Sequence, residues 1–301
     1  MRKYEDIDQW LEKARAYFSV NAPQLLGIFD TYSAEARFSV DHIRGDLESL
    51  RPDAKILEVG AGAFLLTCFL KSAGYQIVGL EPVGDGFSHF DQMRTLVLRC
   101  AAEDDIEPEF LGAYAEDLDV DLVYDYAFSI NVMEHVGNVD RVIERVGRSL
   151  KLGCFYRFTC ANYAFPYEPH FNIPTLFSKR LTRYVFDSRI RSKADLLDNE
   201  GIWASLNWIT TSSVKRSVRR IPSLSVKMNT HMLEKAVERL ATDREFAARR
   251  SPFMLRFVAF LVAIKMHKFF WIVPAEIQPL IDCWVQKTST QSPTALPQVA
   301  T

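Results

Sequence analysis

The chain has 301 residues, of which 48% are hydrophobic and 25% charged, and this balance excludes a disordered or fibrous protein. Its formal net charge of −2 provides no global field for nucleic acid, so we expect no nucleic-acid partner. The five cysteines are scattered and show no paired metal-ligand spacing, which predicts a reducing compartment and no metal site.

The first 50 residues have the pattern of a helical cap. The opening sequence MRKYEDIDQW lacks the apolar stretch of a secretory signal, so a cytoplasmic protein is expected. Apolar residues then recur at helical spacing, and strand signals are few. The residues that carry this pattern are Trp10, Leu11, Ala14, Tyr17 and Phe18.

A strand, a glycine-rich turn and a helix follow directly. The run KILEVG, over 55–60, is apolar and ends in glycine, and apolar residues at helical spacing continue over 64–70. Gly74 ends this helix, and Gln76–Leu80 forms a second buried strand. This βαβ unit predicts a parallel sheet with a right-handed crossover.

The alternation of strands and helices continues to the end of the chain. Strands are predicted over Asp121–Ile130, Cys154–Cys160, Leu224–Met228 and Leu280–Gln286, and helices over Asp140–Leu150, Thr211–Arg219 (with Thr211 as its N-cap) and most of Met232–Ile272. The expected segments are a cap over 1–50, a core over 51–230 with a substrate-loop insertion at 162–206, a helical insertion over 231–279, a last core strand over 280–287 and a disordered tail over 288–301.

The turn after the first strand has the residues of a nucleotide-type binding site. Gly60 and Gly62 allow a ligand to approach the backbone, where a Cβ would block both the turn and the contact. A nicotinamide cofactor would need a third glycine where Leu65 stands, and Glu58 would repel its pyrophosphate. Glu58 suits instead the cationic amino group and sulfonium of S-adenosylmethionine. Glu81 ends the second strand, where a carboxylate can accept from both ribose hydroxyls.

The motifs LEVGAG, GLEP, AEDL and SINVMEHV, in this order, resemble those of class I S-adenosylmethionine-dependent methyltransferases over Ile56–Cys160. The resemblance implies a Rossmann-like three-layer α/β sandwich with a seven-stranded, mostly parallel sheet and an antiparallel last strand. It implies S-adenosylmethionine as cofactor. One position departs from the family pattern, because Phe64 stands where a third glycine is usual.

The resemblance also assigns cofactor-binding residues. It implies that the methionine end is held by Glu58, Gly60 and Gly62, the ribose by Glu81 and the adenine by Asp117, and that Asn131 borders the sulfonium.

Three residues are candidates for catalysis. His135, within the family's EHV triplet, is either a general base or a structural histidine that orients the start of a helix. Glu168 and His170 lie in the insertion, in the proline- and aromatic-rich segment CANYAFPYEPHFNIP. Prolines order a loop at low entropic cost, so this segment is expected to form a wall of the acceptor pocket. The Glu168 and His170 pair either deprotonates the acceptor or ties the loop down.

The segment 253–273 is strongly apolar but is interrupted by Arg256, Lys265 and Lys268, so it is too short to span a bilayer. Three alternatives remain for it: burial against the core, contact with a second copy in a homodimer, or peripheral contact with a membrane or the tail of a lipid-linked acceptor. The acceptor is accordingly a small molecule or a lipid-linked molecule.

Two other functions compete with methyl transfer. A nicotinamide-dependent oxidoreductase would share the fold and Glu81, but it is disfavoured by Glu58 and by the missing third glycine. A non-catalytic scaffold of the same fold is possible in principle, since fold does not determine function. The donor-site carboxylates argue against a scaffold because Glu58, Glu81 and Asp117 are all present.

Overall fold

A seven-stranded sheet in the order β3-β2-β1-β4-β5-β7-β6 runs through the centre of the computed structural model. Residues 4–83, 88–193, 198–242, 247 and 252–289 are described. The strands are Lys55–Val59 (β1), Gln76–Leu80 (β2), Glu109–Leu111 (β3), Tyr124–Ile130 (β4), Leu150–Ala161 (β5), Leu224–Met228 (β6) and Leu280–Lys287 (β7). The first five pair in parallel, and β7 runs antiparallel to both β5 and β6. The predicted fold class is confirmed.

Helices cover both faces of the sheet. In the described ranges they are Ile7–Asn21 (α1), Leu26–Glu48 (α2), Leu65–Ser72 (α3), Ser88–Ala102 (α4), Val139–Ser149 (α5), Lys179–Arg191 (α6), Asn199–Ser205 (α7), Thr211–Arg219 (α8), Met232–Thr242 (α9) and Pro252–Ala263 (α10). The N-cap of α8 is Thr210, not Thr211, because the Thr210 hydroxyl accepts from the backbone N–H of Ser213 at 3.1 Å.

The central strands are buried on both faces, as parallel strands between two helical layers must be. Successive side chains of a strand point to opposite faces. Ile56, Tyr126 and Phe128 therefore belong to one hydrophobic core, which they share with α1 to α4. Leu57 and Ala127 belong to the other core, shared with α5 and α8.

The N-terminal cap is joined to the core by packing and by buried hydrogen bonds, one of which lies beside the glycine turn. Trp10 is fully buried, and its indole N–H donates to the carbonyl of Leu65 at 2.9 Å. Leu65 is the first residue of α3, directly after the glycine turn. The cap therefore supports the helix that begins at the predicted binding loop.

The two predicted insertions have different surfaces. The loop insertion at 162–206 contains α6 and α7 and packs aromatic rings against the core, with Phe171 and Trp203 both buried. The helical insertion contains α9, α10 and a 3₁₀ turn over Met266–Ile272. Of the predicted tail at 288–301, residues 290–301 lie outside the described residues.

The apolar segment that includes α10 buries only one of its faces. Val258 and Leu261 are buried, whereas Phe260 is 58% exposed and Phe269 is 62% exposed. Packing of α10 on α9 and on the 3₁₀ turn therefore accounts for one side of this segment only. Among the residues described here, no helix combines the length and the apolarity that crossing a membrane requires.

Candidate functional site

A large cavity lies at the carboxyl ends of β1, β2, β4 and β5. Its volume is about 1500 Å³, and residues of α2, α9 and the loop insertion line its outer sides. β1 is flanked by β2 and β4, so the chain order of the strands reverses at this point. Open α/β sheets bind ligands at such a position, because the loops after neighbouring strands diverge there.

The glycine turn forms the floor of this cavity. Gly60 has φ +75°, and a Cβ there would lie 2.4 Å from Cγ2 of Val132. Gly62 has φ +51°, and its N–H donates to the Glu81 carboxylate at 3.0 Å. Side chains would be strained or would clash at these two positions, so the backbone of the turn stays open to a ligand.

Phe64, the departure from the family pattern, does not obstruct the turn. It adopts the left-handed conformation with φ +66°, which a glycine would adopt at less cost. Its ring is fully buried and meets the ring of Phe110 edge-on at 5.1 Å. Gly79 makes room for it, since a Cβ on Gly79 would lie 2.6 Å from the ring. The ring packs into the core and is not among the cavity-lining residues.

A buried carboxyl group, that of Glu58, and a partly buried one, that of Glu81, border the turn. Glu58 accepts a hydrogen bond from the Thr67 hydroxyl, and burial, with a smaller contribution from Glu81, raises its pKa to about 8. Burial also raises the pKa of Glu81, against the opposing effects of the Gly62 N–H and Arg94. Both residues line the cavity. Because burial penalises their charge, a cationic ligand would favour the ionised forms of both groups.

Asp117 does not lie where the resemblance implied. Its side chain is 61% exposed, and it accepts from Arg141 Nη2 at 3.1 Å on the outside of the 3₁₀ turn Ala115–Asp117. The turn directs Asp117 outward, while the preceding Ala113, Tyr114, Ala115 and Glu116 line the cavity. Asp117 therefore does not line the cavity, and its contact with adenine stays a prediction.

Asn131 lies at the rim of the cavity, directly after β4. It adopts the left-handed conformation with φ +57°, which asparagine tolerates better than most residues. Its backbone N–H donates to the carbonyl of Thr159 at 2.9 Å, so the end of β4 stays attached to β5. The geometry is compatible with the implied position beside a sulfonium.

The three candidate catalytic residues come together. The rings of His135 and His170 lie 5.1 Å apart, and both line the cavity. Glu168 is fully buried and accepts from His170 Nδ1 at 2.6 Å and from the N–H of Phe171 at 2.7 Å. Glu168 therefore both orients the His170 ring and ties the loop, so the two predicted roles of this pair are compatible.

The two imidazoles have opposite pKa shifts. Burial lowers the pKa of His135 to about 3, and the charges of His170 and Lys179 add to this effect. Burial acts in the same direction on His170, but the hydrogen bond and charge of Glu168 outweigh it and raise the pKa. His135 is therefore neutral at physiological pH, whereas His170 binds a proton more readily than a free imidazole.

Glu134 is a site residue that the sequence reasoning treated only as part of a motif. It is 2% exposed and lines the cavity, and its Oε2 has no hydrogen-bond partner among the described residues. Burial raises its pKa to about 7, against the opposing charge of His170. A buried carboxylate oxygen without a donor is costly, so it suggests a bound partner.

The wall contributed by α2 was also missed. Thr31, Glu35 and Ser39 line the cavity from this helix. They are spaced four residues apart, which places them on one helix face. The sequence signal that could have identified this wall was the recurrence of polar residues at this spacing within an otherwise apolar helix face.

No family model matches the chain. The uncharacterized protein Rv1509 of Mycobacterium tuberculosis (strain ATCC 25618 / H37Rv) is 42% identical over 281 residues, which are 93% of this chain and 95% of the relative. Ubiquinone biosynthesis O-methyltransferase of Rickettsia akari (strain Hartford) is 29% identical over 97 residues, 32% of this chain and 36% of that protein.

Two solved structures resemble the fold at low identity. Phosphoethanolamine N-methyltransferase 2 of Haemonchus contortus, in complex with S-adenosyl-L-methionine, has a TM-score of 0.47 and 16% identity over 82% of this chain and 51% of that one. YcgJ of Bacillus subtilis has a TM-score of 0.46 and 14% identity over 81% of this chain and 96% of that one. The extent and identity of the match to Rv1509 show that the chain belongs to the same family as that mycobacterial protein.

Proposed function

We propose that this protein is a methyltransferase that uses S-adenosylmethionine. The observation that carries the proposal is the turn Gly60–Gly62, whose backbone is open to the cavity and held by Glu81 beside the buried carboxyl of Glu58. S-adenosylmethionine has a cationic amino group and a sulfonium, which Glu58 complements, whereas Glu81 is placed to accept from the ribose hydroxyls. A pyrophosphate at this position would meet carboxyl groups where it needs cationic or N–H partners, which disfavours the nicotinamide alternative.

Methyl transfer requires little chemistry from the protein. The methyl group moves from the sulfonium to an acceptor atom, and S-adenosylhomocysteine is left behind. The enzyme must hold the two reactants in line, and alignment alone can supply much of the rate enhancement. The space beyond Asn131, between α2 and His170, is the part of the cavity available to an acceptor. The likeness to the Rickettsia akari O-methyltransferase over 97 residues supports the same reaction class.

The acceptor that we favour carries an apolar tail. Met232 and Ala236 of α9 line the cavity, and α9 also contacts α10 and the 3₁₀ turn that follows it. These two neighbours expose Phe260 and Phe269 to solvent. An apolar surface thus lies beside one wall of the cavity, where a membrane-associated molecule could enter. This arrangement favours a lipid-linked acceptor over a fully soluble one.

Calorimetric titration of the purified chain with S-adenosylhomocysteine tests the donor assignment. We expect Glu81→Ala to weaken binding at least tenfold, about 1.4 kcal/mol, because it removes the ribose acceptor. Glu107→Ala, in an exposed loop away from the cavity, serves as the matched control and should bind as the native chain does. Unchanged affinity in a folded Glu81→Ala protein contradicts the assignment. Stabilisation by NAD(H) alone in a thermal shift would favour the oxidoreductase.

A further inference from the structure

Three potential metal ligands converge on one wall of the cavity. Glu134, His135 and His170 each offer a ligand atom, and these atoms lie within 4.8 Å of one another. Glu134 and His135 follow β4, and His170 belongs to the loop after β5, so the two neighbouring strands bring them together. Because no regular spacing relates these residues in the sequence, the cluster becomes visible only in the fold.

Hydrogen bonds to the far side of each imidazole leave its other nitrogen free. His170 Nδ1 donates to Glu168, so its Nε2 carries the lone pair that faces the cavity. The Ser205 hydroxyl donates to the carbonyl of Ile202 at 2.8 Å and therefore accepts from His135 Nδ1, also at 2.8 Å. Metal-binding histidines are oriented in this way, by a carboxylate or hydroxyl behind the ring.

We propose that Glu134, His135 and His170 bind a divalent transition-metal ion. Two imidazoles and one carboxylate are a donor set suited to Zn²⁺, Mn²⁺, Fe²⁺ or Co²⁺. The buried, unpartnered Oε2 of Glu134 is the third ligand atom. Around a tetrahedral ion the ligand atoms would be about 3.3 Å apart, which lies inside the 4.8 Å limit within which the three atoms already sit.

The ion would have open coordination positions toward the cavity. A hydroxyl of the acceptor bound there would lose its proton to solvent more readily than a free hydroxyl, and the resulting oxygen would attack the methyl group. This role rests on the proposed methyl transfer, whereas metal binding itself does not. Metal binding and general-base catalysis by His170 exclude each other, since both use the Nε2 lone pair.

Titration of the full, untagged, chelator-treated chain with Co²⁺ tests the site without any donor or acceptor. We expect one ion per chain and the visible absorption of a four- or five-coordinate ion without thiolate ligands. Glu134→Gln and His135→Asn should each weaken Co²⁺ binding at least tenfold, and Glu168→Gln by 10- to 100-fold through the orientation of His170. His231→Asn is the matched control, because His231 also pairs with a glutamate, Glu234, but at the surface.

Stoichiometric binding that is lost in the cluster variants and kept in His231→Asn supports the proposal. Absence of binding to the native chain overturns it, as does binding that the cluster variants leave unchanged. If Glu134→Gln fails to fold, His135→Asn is the cluster variant that is compared with the native chain. Because donor binding is measured separately, a failure of this test leaves the methyltransferase proposal intact, and a failure of donor binding leaves the metal site intact.

Discussion

Two sets of buried ionisable side chains differ in how completely their charges are compensated. The first, which we call the strand network, consists of Arg157 on β5, Asp282 on β7, and His42 and Asp46 on α2. Arg157 donates to both carboxylate oxygens of Asp282, at 3.1 and 3.0 Å, and to Asp46 at 2.7 Å. The second set consists of the cavity carboxyls Glu58 and Glu134.

The pKa shifts express this difference. In the strand network, hydrogen bonds and charges from His42 and Arg157 outweigh burial and lower the pKa of Asp282 to about 2. At the cavity, burial dominates and raises the pKa of Glu58 to about 8. The strand network therefore has a structural role, because it holds α2 to the sheet. The charges of the cavity carboxyls remain undercompensated, which is expected of groups that bind a cationic ligand.

Breaking the strand network should give the largest effect. Asp282→Asn leaves Arg157 with one carboxylate instead of two, and removing one partner of a buried ion pair costs about 3 to 5 kcal/mol. Glu134→Gln is the contrasting variant. It removes a buried charge that lacks full compensation, so the free energy of unfolding should change by about 1 kcal/mol or less. Urea unfolding of both variants at neutral pH measures the difference. Equal losses would refute the contrast between the two sets.

Much of the fold was predictable from local patterns, because periodicity and glycine placement are local properties. β1, its turn and β2 carried clear signals, and Leu224–Met228 was predicted with the bounds that the structure has. β3 was not predicted, since Glu109–Leu111 is short and two of its residues are exposed. The outward direction of the Asp117 side chain could not be predicted, because the motif names the residue but not the direction of its side chain. Glu134 was not predicted as a site residue, because the lack of a hydrogen-bond partner for its carboxylate oxygen is a property of the folded chain.

The pH dependence of stability should have opposite signs in the two sets. Asp282 has a folded pKa below the unfolded value of about 3.9, so its contribution is present above that pH and is lost as the pH falls toward 2. Glu58 has a folded pKa above the unfolded value of about 4.3, so it favours folding at low pH and loses this contribution as the pH rises through about 8.

Glu58→Gln tests the second sign. The amide cannot ionise, so we expect the variant to gain thermal stability relative to the native chain as the pH rises from 5 to 9. Melting temperatures of the ligand-free proteins across this range measure the difference. Glu107→Gln provides the control, because Glu107 is exposed and its substitution should leave the curve unchanged. A Glu58→Gln curve that runs parallel to that of the native chain would show that Glu58 titrates normally.

The exposed apolar face of the segment 253–273, beside the cavity, is a surface counterpart of the cavity carboxyls, because it too lacks full compensation. Phe257, which is 54% exposed, and Trp271, which is 48% exposed, belong to the same segment as Phe260 and Phe269. Arg256 and Lys265 are exposed cations in the same segment. Aromatic rings with neighbouring basic residues suit the interface of an anionic bilayer. Contact of this face with an anionic membrane surface is therefore the prediction that we test.

Liposome flotation measures this last and smallest effect. We expect the native chain to float with anionic vesicles and to remain behind with neutral ones, because the basic residues add an electrostatic attraction. Phe269→Ser/Trp271→Ser should reduce partitioning at least tenfold, about 1.4 kcal/mol. Tyr184→Ser is the matched control, since Tyr184 is an aromatic residue that is 85% exposed on α6, outside this segment. A native chain that stays in solution with both kinds of vesicle, and whose double variant changes from dimer to monomer in light scattering, would assign the face to a second copy instead.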